Sequence, residues 1–183
     1  AGDRDRISPW LERALQRMPI FAEAGIKRIV NGAIPHTPDG APLLGPAGGL
    51  RNFWMCCGSS IGIAQGAGCG RYLAEWMVAG AAEINMKDFD PRRFGAWADQ
   101  TYTRAKSFED YHHMFVTHFP GEERPAGRPV RQSPLHERLL AQGCVFTEGG
   151  GYERPKFFAP EGVNETLGFR RNNIFPIVAA ECH

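Results

Sequence analysis

The stretch Leu50-Arg51-Asn52-Phe53-Trp54-Met55-Cys56-Cys57-Gly58-Ser59-Ser60-Ile61-Gly62-Ile63-Ala64-Gln65-Gly66-Ala67-Gly68-Cys69-Gly70 decides the reading of this chain. Up to Cys57 it is nearly all apolar, the pattern of a strand covered on both faces as in a mostly parallel sheet. Gly58 ends that strand, Ser59 and Ser60 make a polar turn, and a helical pattern then runs through Ile63, Ala67, Ala74 and Met77 to Gly80. Gly62, Gly66 and Gly70 recur every fourth residue and share one helix face, although each costs about 1 kcal/mol against alanine in a helix interior. Two explanations offset that cost: a ligand lying against the backbone, or tight packing of helix on sheet. The first has a physical basis, because a helix N-terminus presents unpaired N–H groups and roughly half a positive charge, and glycine lets an electron-rich group approach. The spacing excludes two nucleotide motifs. No lysine completes a GxxxxGK[ST] phosphate loop, and GxGxxG fails at Arg71.

Outward from this unit, Ser8-Pro9 reads as a helix start, with Leu11, Ala14, Leu15 and Met18 at helical spacing and an end near Pro19. Residues 25–30 read as a short strand that runs into Asn31-Gly32 and the stiff turn Pro35-His36-Thr37-Pro38-Asp39-Gly40. A helix is expected over residues 97–114. Residues 121–134, rich in proline and arginine, read as a linker or extended arm, with Arg124, Arg128 and Arg131 solvated along it. Ser133-Pro134 opens a second short helix over residues 135–142, closed by Gly143. Strands are expected at 144–147 and 152–158 around Gly149-Gly150-Gly151, with Pro155 stopping the pairing of the second.

The chain has 183 residues, 43% of them hydrophobic, enough for one ordinary domain or for pieces of larger ones. Its 21 Lys and Arg against 20 Asp and Glu leave a formal charge of +1, so no global field draws it to nucleic acid or anionic lipid. The uncharged run between Arg51 and Arg71 carries five glycines, two serines, Asn52 and Gln65, which argues against a membrane span. Cys56, Cys57, Cys69, Cys144 and Cys182 form no CxxC pair and read as small buried hydrophobes of a reducing compartment. The cytosol is the first expectation and the mitochondrial matrix the alternative. His112, His113 and His118 lack the i, i+4 spacing of a helical metal pair, so they read as a solvated helix end and no metal site is expected. Asp39 before Gly40 reads as a turn carboxylate bonding its own backbone. Ser59 and Ser60 have no Gly-x-Ser-x-Gly frame, which argues against a hydrolase nucleophile.

Several segments in order carry a resemblance. Gly25-Ile26-Lys27-Arg28-Ile29-Val30-Asn31-Gly32, Thr37-Pro38-Asp39-Gly40, Pro42-Leu43-Leu44-Gly45, Gly62-Ile63-Ala64 and Leu73-Ala74-Glu75-Trp76 resemble the C-terminal part of the flavin-dependent amine oxidoreductases of the D-amino-acid oxidase superfamily. Asp90-Pro91-Arg92-Arg93-Phe94, Glu122-Glu123-Arg124-Pro125-Ala126-Gly127-Arg128-Pro129 and Tyr152-Glu153-Arg154-Pro155 resemble its dimethylglycine and sarcosine dehydrogenase branch.

The resemblance implies an α/β to α+β fold: the end of an FAD-binding sheet-and-helix domain with part of an antiparallel substrate-domain sheet, then a linker subdomain. Residues 1–95 would belong to the FAD-dependent oxidoreductase domain, and 96–183 to a connecting subdomain leading toward a folate-binding domain. It implies FAD, held mostly through the backbone of Gly58, Ser60, Ile61, Gly62, Ile63, Ala64 and Gln65, with His36 and Thr37 lining the substrate side. The implied reaction takes hydride from the N-methyl group of a secondary or tertiary amino acid such as dimethylglycine or sarcosine. One-carbon transfer to tetrahydrofolate and electron exit to an electron-transfer flavoprotein would follow. No catalytic group is assigned within the chain. The family's GxGxxG unit, its flavin-carrying histidine and its folate domain have no counterpart here, so the chain is expected to be a fragment, or one chain of a split enzyme, that needs its remaining segments or a complementary chain. The rival expectation is a noncatalytic assembly module of a multi-chain complex.

Overall fold

The computed structural model describes residues 4–182. Helices and two small antiparallel sheets make up the chain, which divides into a unit ending at Ile34 and a second beginning at Pro35. This mixture is the fold class that the sequence implies.

The first unit holds helix α1 (Arg4–Arg17) and a 3-10 turn, Pro19–Glu23. The helix starts a full turn before Ser8, so Pro9 lies inside it rather than at its first position. Met18 N donates to Ala14 O at 2.8 Å and closes the helix just before Pro19. The strand expected at residues 25–30 does not form. Among the described residues nothing pairs with it, and an extended segment with no partner has no ladder to hold it.

In the second unit, β1 (Leu43–Pro46) pairs antiparallel with β2 (Trp54–Cys57), Leu43 opposite Cys57 and Pro46 opposite Trp54. This corrects the expectation of a longer strand in a mostly parallel sheet. Residues 47–53 turn back instead, with Ala47 N donating to Phe53 O at 2.9 Å and Asn52 at φ +60°. Nor is β2 covered on both faces, since Cys56 and Cys57 are exposed. Helix α2 (Gly62–Ala79) follows and stops at Gly80, whose φ of +80° only glycine adopts freely. The helix meets the hairpin through Trp76, which stands edge-on to Trp54 with ring centres 5.7 Å apart. Gly45 makes this fit possible, because a Cβ there would come 2.6 Å from the Trp76 ring.

Asp99 caps helix α3 (Gln100–His113) by accepting from Tyr102 N at 2.8 Å. Short helix α4 (His136–Leu140) leads into β3 (Cys144–Gly149) and β4 (Tyr152–Phe158), which pair antiparallel; α5 (Phe175–Glu181) follows. Pro155 does not end the pairing as the sequence suggested. It lies opposite Phe146 beside a register shift between Val145 and Phe146, a bulge where a missing N–H does little harm.

Residues 121–134 are not a solvated linker. Arg128 lies against Glu153, with Nε to Oε1 at 2.9 Å and Nη2 to Oε2 at 2.6 Å, and Nη2 also donates to Phe146 O at 3.0 Å. The hydrogen bond to Glu153 holds the guanidinium pKa above its usual value. Arg131 lies over the rings of both Trp97 and Tyr152, at 5.4 and 5.1 Å. Lys106 is buried on α3, bound by Glu109 and Glu148 at 3.3 Å each and by the Arg124 carbonyl. Neighbouring Tyr102 has its pKa pushed up to about 12, by burial first and then by nearby carboxylates. The proline-rich segment is thus pinned to α3 and to the β3–β4 hairpin by paired charges.

Two stability predictions follow from this packing. Glu153 is 4% exposed, and Glu153→Ala leaves Arg128 with only Glu123 at 3.4 Å as a carboxylate partner; it is expected to cost about 1–3 kcal/mol by denaturant melts, with Glu153→Gln retaining part of that. Gly151, at φ +76° against the Trp97 ring, has no room for a Cβ; Gly151→Ala is expected to lower the thermal midpoint, equivalent to about 1–3 kcal/mol.

Candidate functional site

Between β2 and α2 the chain makes the turn on which the sequence reading rests. Gly58 is buried at φ +74°, and a Cβ there would come 2.8 Å from Thr37 Cγ2. The structure therefore brings Thr37 and Gly58 into contact across 21 positions of sequence separation (58 − 37). Ser59 Oγ donates to Gln65 Oε1 at 2.9 Å and ties the turn to the first helical turn. Ser60 Oγ is buried and has no hydrogen-bond partner among the described residues. A hydroxyl left so costs about 1–3 kcal/mol, which a polar ligand atom would offset.

Ile61 occupies the N-cap position of α2, and no side chain there accepts from the helix. The amides that open α2 are left without a side-chain cap, and they carry the partial positive end of an 18-residue helix. Ile61 and Ile63 are exposed, Ile63 fully. A Cβ on Gly62, Gly66, Gly68 or Gly70 would meet nothing within 4 Å. The glycine face is thus open among the described residues, and helix-to-sheet packing within them does not account for it. Of α2, only Leu73 is buried.

Beside the helix lies a cleft of about 270 Å³ with Pro42, Leu44, Ala64, Gln65, Tyr72 and Phe89 in its wall. Ala64 and Gln65 are the two expected cofactor contacts that reach it. Cys69 borders it as well, and burial raises its thiol pKa, which keeps it protonated rather than nucleophilic. Cys144 is likewise pushed up by burial. The expectation of uniformly buried cysteines is corrected at Cys56, Cys57 and Cys182, which are exposed. For Cys56 and Cys57 the reason is that the C-terminal end of β2 is bare on both faces.

His36 and Thr37 stand apart in their bonding. Thr37 is buried, and its hydroxyl donates to Ala41 O at 2.7 Å with Asp39 Oδ1 at 3.1 Å. Asp39 accepts from Ala41 N at 3.2 Å, the backbone role expected of it, and also pairs with Arg93 at 2.7 Å. His36 turns toward α3, with Nε2 at 2.8 Å from Asp110 Oδ2 and its ring edge-on to Tyr111. Its Nδ1 is buried and unpartnered. The Asp110 partner was not legible in the sequence, since it lies 74 residues away.

The uncapped amides, the orphaned Ser60 hydroxyl and the open glycine face fit a large planar group with hydrogen-bond-accepting carbonyls along one edge, such as the flavin end of FAD. Comparison with known proteins points the same way. Residues 1–76 match the FAD dependent oxidoreductase family, and residues 79–133 match the FAD dependent oxidoreductase central domain. The rat mitochondrial dimethylglycine dehydrogenase is 36% identical over 181 residues, covering 98% of this chain and 21% of the relative. The human mitochondrial sarcosine dehydrogenase is 43% identical over 170 residues, covering 91% of this chain and 18% of the relative. The mouse mitochondrial pyruvate dehydrogenase phosphatase regulatory subunit is 33% identical over 186 residues, covering 98% and 21%. The chain spans about a fifth of the length of these curated relatives. With both domain matches falling in sequence order along it, the chain belongs to the FAD-dependent oxidoreductases of the D-amino-acid oxidase type.

Proposed function

We propose that this chain supplies the flavin-edge turn of an FAD-dependent dehydrogenase that oxidises the N-methyl group of a secondary or tertiary amino acid such as dimethylglycine or sarcosine. The observation that carries the proposal is the start of α2, where an uncapped helix end and an open glycine face lie beside the orphaned Ser60 hydroxyl. Similarity to the dimethylglycine and sarcosine dehydrogenases supplies the substrate class.

Gly58, Ser60, Ile61, Gly62, Ile63, Ala64 and Gln65 hold the cofactor in this reading, chiefly through backbone N–H groups. When bound, the flavin supplies the two-electron acceptor for hydride leaving the N-methyl carbon, and the substrate departs as an iminium. Amides fixed by the helix stabilise negative charge without reorganising. Thr37 backs the turn by packing on Gly58, and His36, oriented by Asp110, lines the substrate side. Residues 1–95 form part of the oxidoreductase domain and 96–183 the connecting subdomain. In the whole protein, tetrahydrofolate takes the one-carbon unit, an electron-transfer flavoprotein takes the electrons, and the mitochondrial matrix is the compartment, a reading supported by relatives named as mitochondrial.

A second reading is favoured by one specific relative, the regulatory subunit. On that reading the same elements of this chain would serve as a noncatalytic assembly module. Purifying the natural polypeptide that carries residues 1–183 separates the two. The dehydrogenase reading expects flavin absorbance and dye reduction that depends on dimethylglycine or sarcosine; a colourless polypeptide, or a flavoprotein inert to both, contradicts it.

The variant Gly62→Leu tests the turn itself. A side chain at position 62 meets open space in this chain, so the thermal midpoint of the flavin-free polypeptide is expected to hold or rise slightly. Flavin affinity is expected to fall about tenfold or more, equivalent to ~1.4 kcal/mol. Unchanged flavin content in a folded Gly62→Leu protein contradicts the assignment.

A further inference from the structure

Where α3 ends at His113 the chain folds straight back on itself. The His113 carbonyl accepts from Val116 N at 3.0 Å, and the His118 ring meets the same carbonyl through Nε2 at 3.0 Å. Phe119 N donates to Glu122 Oε2 at 3.0 Å and draws that carboxylate over the same loop. Ligand atoms from His113, His118 and Glu122 consequently lie within 4.8 Å of one another.

Two features of the imidazoles set this cluster apart from a solvated helix end. First, Nδ1 of His113 and Nδ1 of His118 are both closed off from solvent, and neither has a hydrogen-bond partner among the described residues. Each unpaired buried nitrogen costs about 1–3 kcal/mol. Second, a carbonyl only accepts, so the contact to His113 O puts the proton of His118 on Nε2 and its lone pair on Nδ1. That nitrogen stands 3.8 Å from Glu122 Oε2, beyond hydrogen-bond reach. A second ring nitrogen donating to a backbone carbonyl is how proteins orient metal-binding histidines. The Arg124 guanidinium also stands 3.3 Å from His118 Nε2 and shares its charge with Asp110 at 3.3 Å. Since it can only donate, it competes with the carbonyl for Nε2, and a cation on Nδ1 selects the carbonyl arrangement.

We propose that His113, His118 and Glu122 bind one divalent cation of the zinc class, which clamps the loop of residues 114–122 to the C-terminal end of α3. Two imidazoles and one carboxylate suit zinc better than calcium or magnesium, which favour all-oxygen sites. Ligands of a tetrahedral zinc at ~2.1 Å lie roughly 3.4 Å apart, so side-chain rotations of about 1 Å bring the three together. Water fills the fourth position. The histidine spacing alone did not reveal this site, because the third ligand is a carboxylate four residues after His118. The inference is independent of the flavin reading.

The test titrates Zn²⁺ alone into the chelator-stripped natural polypeptide by calorimetry. One equivalent is expected to bind, and His118→Gln and Glu122→Gln are each expected to weaken it tenfold or more. His112→Ala is the control and is expected to weaken binding far less than the ligand variants, because that ring stacks on Phe108, only abuts His113 edge-on and is outside the ligand set. Co²⁺ substitution is expected to give the visible absorption of a four-coordinate nitrogen and oxygen site. Undiminished binding in the His113→Ala, His118→Ala double variant overturns the proposal, as does the absence of stoichiometric binding. Should the variants fold poorly, hydrogen exchange on the unmodified polypeptide decides: zinc is expected to protect amides 114–122, and unchanged exchange there overturns the site.

Discussion

A helix cannot begin without leaving its first amides outside its own hydrogen-bond ladder, and at Gly62 no side chain takes them up. That constraint organises the site. Gly58 must be glycine because the chain turns through φ +74° while touching Thr37. Ser59 locks the geometry through Gln65, and Ser60 is left with a buried hydroxyl that no described residue satisfies. A bound flavin, in the proposed reading, would resolve all of these at once.

The second half of the chain is held in register on a different principle. Few side chains there are deeply buried, and the packing between α3, the proline-rich segment and the β3–β4 hairpin runs through charges: Lys106 with Glu109 and Glu148, Arg128 with Glu153, Lys156 with Glu123 and Glu165. Such pairs contribute little net stability when intact and cost much when one partner is lost. They fix the register of a segment whose prolines could not join a ladder of their own.

Much of this was legible in the sequence, and the failures share a cause. The turn at Gly58, helix α2 with its stop at Gly80 and the β3–β4 hairpin follow from local signals: a glycine at each reversal and apolar residues at helical or alternating spacing. What could not be read was set by partners far along the chain. Residues 25–30 carry β-branched residues yet find no strand to pair with among the described residues, and Leu50 to Phe53 is drawn into a turn by Asn52. Arg128 looked solvated because Glu153 lies 25 residues on, and His36 gave no hint of Asp110. The site was half legible: glycine spacing located the turn, while the orphaned Ser60 hydroxyl, the contact between Thr37 and Gly58 and the His113, His118, Glu122 cluster exist only once the chain is folded.

Exposed Ile61 and Ile63 and the bare face of α2 give a chain spanning a fifth of its relatives' length a surface that stays apolar and open. The account holds that flavin covers its first turn. Hydrogen exchange on the flavin-free and flavin-loaded natural polypeptide measures this directly, amide by amide. The account predicts that flavin slows exchange at residues 60–65 by about tenfold or more, while α2 beyond Trp76 is unchanged. Equal exchange at 60–65 in the two states, with flavin demonstrably bound, would contradict it.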